Sequence, residues 1–132
     1  MNSIARENAV IILTPTSDHT GKEGYFVDVD ATEKAALIDA TTDLPFGVIL
    51  EGATTAGKSA IAAAAGGFKG TVRVKLGAAP GTVRAGVLLQ TNNDGTVRAD
   101  AGTGARVLTA QALESGAAGE LIEAVLFKPI SL

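Results

Sequence analysis

The sequence predicts a mainly β fold: a small single-domain β-barrel or sandwich of short antiparallel strands with an extended N-terminal arm. Three observations lead there. Gly and Pro, 16 and 4 of the 132 residues, recur along the chain and leave only short stretches between turns. One of those stretches, TVRVKL (71–76), alternates with a period of two, so that Val72, Val74 and Leu76 share a face. The tetrapeptide GTVR begins at Gly70, Gly81 and Gly95. Its unequal intervals argue against a solenoid repeat; each glycine ends a turn, and Thr-Val opens a strand because β-branched side chains suit the pleat.

The elements follow in chain order. Residues 1–24 hold one apolar run, AVIIL, with a strand expected at 10–13, followed by the polar, turn-rich TPTSDHTGKEG. Such a segment is either a disordered end or an arm that orders against a partner. The β-rich domain proper is expected over 25–132, with no linker to divide it. Strands are expected at 25–29, 46–50, 71–76, 87–90, 96–98, 106–113 and 121–127. Pro45 sets the turn before the second of these, Asn93-Asp94-Gly95 makes a hairpin, and SGAAG (115–119) makes a longer one. Residues 30–39 read in two ways. Asp30 to Glu33 resembles a capping box ahead of a short helix, but TTDLP breaks it after about two turns, so strands around a tight connection are favoured.

Composition narrows the function. The chain is 46% apolar, much of it alanine, and only 4% aromatic, so the core is thin and burial against partner copies is expected. A net charge of −3 with both signs dispersed, and Arg73, Lys75, Arg84 and Arg98 on strands without interleaved aromatics, point away from nucleic acid. Those cations suit a solvated face or a subunit salt bridge, and Glu120 and Glu123 at the last strand suit solubility. No run is long enough to span a membrane, and no targeting segment is seen, so a soluble cytoplasmic product is expected. With no Cys, thiolate metal sites are excluded, and the one histidine, His19, reads as an ordinary loop residue. No metal and no cofactor are expected.

One stretch speaks for chemistry. GATTAGKS (52–59) fits G-x-x-x-x-G-K-[ST], with Gly52, Gly57, Lys58 and Ser59 at the fixed positions behind the apolar run FGVIL. A phosphate loop needs a helix directly after it and a later strand ending in an Asp for Mg²⁺. Here Gly66-Gly67 would stop a helix after about two turns. The one apolar run that ends in Asp, Ala36 to Asp39, lies upstream, in the wrong order. The segment therefore reads as a turn between two strands with Lys58 in water, and a non-catalytic protein is expected. A P-loop nucleotide-binding protein is the disfavoured alternative. A small carrier domain modified on a hairpin lysine is a third reading, against which no Lys has a Met neighbour.

The strand entry P-F-G-V (45–48), the Ala-rich strand after the GK turn, V-K-L-G (74–77), A-G-V-L-L (85–89), the N-D-G turn and the closing A-L-E-S-G-A-A-G-E-L-I-E-A-V (112–125) occur in one order. In that order the chain, over residues 25–129, resembles the capsid decoration (cement) proteins of tailed bacteriophages. The resemblance implies a β-rich homotrimer, made in the bacterial host's cytoplasm. It would bind the major capsid protein on the outer surface of the virion head and lock neighbouring subunits together. It implies no catalytic site. Within that reading Val10, Ile11, Ile12 and Leu13 are the candidate capsid contact, as an arm that adds a strand to a neighbouring sheet edge.

Overall fold

The computed structural model describes residues 9–64 and 69–132. The described residues form ten strands and no helix: β1 (Val10–Leu13), β2 (Phe26–Val29), β3 (Ala35–Leu37), β4 (Gly47–Glu51), β5 (Ser59–Ala63), β6 (Val72–Lys75), β7 (Leu88–Thr91), β8 (Val97–Ala99), β9 (Val107–Ala112) and β10 (Leu121–Ser131). Every strand expected from the sequence is present within a few residues. The ambiguous segment 30–39 forms β3 rather than a helix. The Ala-rich stretch after Lys58 is β5, because its alternate residues Ser59 and Ile61 are buried on one face.

The strands form two five-stranded antiparallel sheets, ordered β1-β5-β4-β2-β3 and β6-β10-β9-β7-β8. These are one topology used twice, each strand of the second sheet standing five places after its counterpart in the first. The register repeats as well. Val27 pairs with Leu37 and Leu89 with Ala99, 62 positions on. Gly47 pairs with Ala63 and Ala110 with Leu126, 63 positions on. Each sheet also curls until its outer strands meet at one parallel bridge, Pro15 with Ala35 and Leu76 with Val97. The bridge is fastened by Thr16 N–H to the Ala35 carbonyl (2.9 Å) and, in its counterpart, by Gly77 N–H to the Val97 carbonyl (2.9 Å). Curling lets a short, twisted sheet shelter its edges and enclose apolar side chains. The chain is thus two consecutive five-stranded units, 9–64 and 69–132, that the intervals of GTVR do not reveal.

The first unit encloses Val27, Ala35, Ile49 and Ile61, with Leu13, Tyr25, Leu37 and Phe46 around them. Its other face carries Phe26, Ile38, Val48 and Ala62, which join Val72, Val74, Leu76, Leu89 and Ile122 in a larger core shared with the second unit. Fully burying a side chain the size of Phe26 contributes about 1.5–3 kcal/mol, so this seam is where a thin core gains most. Two backbone bonds cross it: Lys75 N–H to the Gly24 carbonyl (2.9 Å) and Phe26 N–H to the Gly95 carbonyl (2.7 Å).

The arm expected over residues 1–24 needs correction as far as it is described. Residues 1–8 lie outside the described residues. Val10–Leu13 is instead a strand of the first sheet, paired with β5 from Val10↔Ala62 to Leu13↔Ser59. The loop after it is held as well, with Pro15 and His19 buried. A four-residue apolar run gains more by pairing with its own sheet than by extending into water.

The five-residue turns of the β2–β3 and β7–β8 hairpins repeat in detail: Asp30 N–H bonds Lys34 O as Asn92 N–H bonds Thr96 O. The fourth turn residue is left-handed in both, Gly95 at φ 85° and Glu33 at φ 62°. Only glycine adopts this region without steric cost. Glu33→Gly is therefore expected to stabilise the fold by about 0.5–1 kcal/mol. Gly95→Ala is expected to cost about 1–2 kcal/mol, since a Cβ there would stand 2.8 Å from the Phe26 carbonyl oxygen. Urea midpoints of the two variants check both signs.

Candidate functional site

The GATTAGKS segment connects two neighbouring antiparallel strands. Residues 52–58 are the loop from β4 to β5, and Ser59 is the first residue of β5, with Glu51 facing Ala60 across the hairpin. A strand therefore follows the loop where a phosphate site needs a helix. The donors such a site would use are occupied. Gly52 N–H bonds the Glu23 carboxylate (3.0 Å), Ala53 N–H bonds the Ser59 hydroxyl (3.0 Å), and Gly57 N–H bonds the Thr54 carbonyl (3.0 Å). Glu23 puts a negative charge where an anion would approach. Ser59 is buried and its hydroxyl turned into the loop, while Lys58 is exposed. The structure gathers Gly52, Gly57, Lys58 and Ser59 on one hairpin without forming an anion cradle.

The hairpin is clamped from the side by the β1–β2 loop. His19 N–H bonds the Ala53 carbonyl (2.9 Å), and Lys22 N–H bonds the His19 carbonyl (2.9 Å). Gly52 is required here, because a Cβ would lie 1.9 Å from the His19 carbonyl oxygen. The His19 ring is fully buried, and neither Nδ1 nor Nε2 has a hydrogen-bond partner. The sequence reading of His19 as a loop residue holds, but its burial was not legible, since its neighbours in the chain are polar. Burial lowers its pKa below the usual value; Asp18 opposes that shift and Lys22, whose Nζ lies 4.7 Å from the centre of the Tyr25 ring, reinforces it. Among the described residues no three His, Asp or Glu side chains are gathered as a metal site would need.

The remaining candidates lie elsewhere. Arg73 pairs with Glu123 across β6 and β10 at 3.3 Å, both side chains partly in water, so the pair adds little stability. Arg98 Nε donates to the Ala99 carbonyl (3.2 Å), Arg84 is exposed, and Lys75 is half-buried at the seam. Glu120 accepts the Ala117 N–H (3.2 Å) within its own hairpin. Arg106, which the sequence did not single out, is bound to Asp100 and to the Gly104 carbonyl, and this bond holds the Asp100 carboxyl below the usual range.

Two further surface features are a mixed polar and apolar cavity and an apolar edge. A cavity of about 340 Å³ runs along the seam between the units, lined by Glu23, Gly24, Leu50, Val72, Arg73 and Leu121 among others. The second feature is β1. It is the outermost strand of its sheet, with Val10 and Leu13 half-buried and Ile11 and Ile12 exposed at 37% and 55%. Among the described residues its outer edge meets β3 only beyond its end, at Pro15. No family model matches the chain, and no curated protein matches it.

Lys58→Ala should change folding stability by less than about 0.5 kcal/mol, whereas Ser59→Ala should cost about 1 kcal/mol by leaving Ala53 N–H without its acceptor. Calorimetric titration with MgATP or MgGTP should show no binding to the wild type; affinity lost in Lys58→Ala would restore the nucleotide reading. The pH dependence of folding tests His19. Its folded pKa is lowered, so the stability it contributes is present above the unfolded value near 6.5 and is lost as pH falls below it. Asp28, raised by burial and by Asp43 and Asp39, acts in the opposite direction: its contribution is lost as pH rises above the ordinary carboxylate range. The difference between wild type and His19→Leu isolates the histidine: the wild type should lose more stability between pH 7 and 5.

Proposed function

We propose that the chain is a decoration protein of tailed-bacteriophage heads, non-catalytic, which binds the outer surface of the assembled capsid as a homotrimer and stabilises the shell. The observation that carries this reading is the ordered set of features from P-F-G-V (45–48) to the closing A-L-E-S-G-A-A-G-E-L-I-E-A-V (112–125). In its support, that whole set falls on the strands and turns of an all-β chain from β4 to β10. The hairpin of Gly52 to Ser59, with its amides engaged by Glu23 and Ser59, favours this reading over a nucleotide site.

Decoration draws its strength from repetition. A shell offers many copies of one surface, and modest contacts made together hold by avidity. A protein that binds the shell but not its dissociated subunits stabilises the shell by mass action. The open apolar edge Val10, Ile11, Ile12 and Leu13 is where the chain joins its neighbours on that surface, by strand addition.

Co-sedimentation with purified heads of the matching phage tests the reading. The wild-type chain is expected to pellet with heads, to saturate in proportion to capsid subunits, and to raise the temperature at which heads release DNA. Wild-type chain left wholly in the supernatant at saturating concentration would refute it.

A further inference from the structure

The repeated topology shows what the two ends of the molecule lack. Inside the chain, the outer face of the first unit is gripped by the second: Phe26 is fully buried, and Gly24 carbonyl and Phe26 N–H bond Lys75 N–H and the Gly95 carbonyl. The second unit carries the equivalents of the gripped groups. Leu88 stands for Phe26 and Gly86 for Gly24, 62 positions on, and the two glycines share a left-handed backbone at φ 94° and 88°. Gly24 bonds Ile49 O through its N–H just as Gly86 bonds Ala112 O. Yet Leu88 is 39% exposed, and a Cβ on Gly86 would meet nothing, where one on Gly24 would strike Leu121 and the Lys75 nitrogen.

The first unit carries the equivalents of the gripping groups. By the closing bridges, Pro15 corresponds to Leu76, so Thr14 stands for Lys75, Ile12 for Arg73 and Ile11 for Val72. Val72, at the seam cavity, is 4% exposed, while Ile11 is 37% exposed. Among the described residues, Thr14 N–H, the counterpart of the seam donor Lys75 N–H, has no backbone partner, and neither has the Glu33 carbonyl, the counterpart of Gly95. Two surfaces that cover each other inside the molecule therefore recur on it, one per unit, and among the described residues no backbone hydrogen bond joins them to each other.

We infer that the occupant of each is a second copy of this chain. The second unit of one copy docks on the first unit of the next as the two units dock within a chain. Gly86 carbonyl, which accepts from Gln111 Nε2 (3.1 Å) within the chain, then offers its second lone pair to Thr14 N–H, Leu88 N–H meets the Glu33 carbonyl, and Leu88 and Leu113 cover Ile11 and Ile12. The contact is heterologous, head to tail, so repeating it closes a ring or grows a filament according to the rotation between units. This names a second copy as the occupant of the β1 edge. It needs no capsid, so it stands or falls separately from head binding.

Solution mass by light scattering, on the full chain without heads, tests it. Ile12 and Leu113 are 55% and 43% exposed, so charges there are compatible with folding, which a circular dichroism spectrum checks. Wild type is expected at a multiple of 13.2 kDa, and Ile12→Asp and Leu113→Asp each at 13.2 kDa. Each variant keeps one good face, so mixing them in equal amounts should give a dimer with one of each. Wild type that stays monomeric, a variant that assembles like wild type, or a mixture that stays monomeric would overturn the inference. Should either Asp variant unfold, Ile12→Lys and Leu88→Lys make the same pair of faces and the same prediction.

Discussion

The bond from Lys75 N–H to the Gly24 carbonyl, with Phe26 N–H to Gly95 beside it, is the contact on which the molecule depends. A five-stranded sheet of Val, Ile, Leu and Ala can curl around four or five side chains, but that core is too small to hold a unit folded alone. Burying the outer face of the first unit on the second adds Phe26, Ile38, Val48 and Ala62 to the second unit's core, while Val27, Ala35, Ile49 and Ile61 keep a separate core inside the first unit. The left-handed backbone at Gly24 lets the chain come within van der Waals reach of β6 and Leu121, and any side chain there would push the units apart. The seam joins two near-copies of one unit, so the first unit keeps a second copy of the gripping surface and the second unit a second copy of the gripped face, with Ile11 and Leu88 exposed.

The β1–β2 loop serves the same seam from the other side. His19 seals the base of the 52–58 hairpin through its backbone, and Glu23 holds Gly52 N–H while lining the seam cavity. The hairpin that resembles a phosphate loop is thereby a strut. Its glycine at 52 is fixed by the approach of the His19 carbonyl and its serine by the need to cap Ala53. Steric and hydrogen-bonding demands of a hairpin have selected residues that also satisfy a catalytic pattern. The buried imidazole is the cost of this arrangement, a polar ring whose two nitrogens have no hydrogen-bond partner.

Much of the fold was legible in the residues. Alternation in TVRVKL, the Asn93-Asp94-Gly95 turn and the Gly and Pro punctuation locate the strands, because strand and turn propensities are local. The stretch after the GK loop is the strand β5 and not a helix, as the reading of the loop as a turn between two strands expected. What lay hidden is what depends on pairing. The repeat is masked because its offset drifts from 61 to 63 residues between the closing bridges and the β4–β5 and β9–β10 pairs. Equivalent positions also differ in kind: Val48 is matched by Gln111, since that face is buried in the first unit and half-buried in the second. The arm was misread for a related reason. Apolar residues 10–13 signal a strand, but no local feature says that its partner is β5, some fifty residues on. His19 gave no signal at all.

A chain built from a repeated unit has a simple physical advantage: the contact that folds it can also serve to assemble it. One surface pair, selected for folding inside the chain, comes ready for use between chains, and each added copy covers apolar area that the monomer leaves in water. The most direct measurement of this claim is an electron cryo-microscopy reconstruction of the isolated assembly. The account predicts that Gly86 of one copy lies against Thr14 of the next, and that the rotation between chains equals the rotation between the two units of one chain. Neighbours that meet through the same face of both copies, or a β1 edge left in solvent, would contradict it.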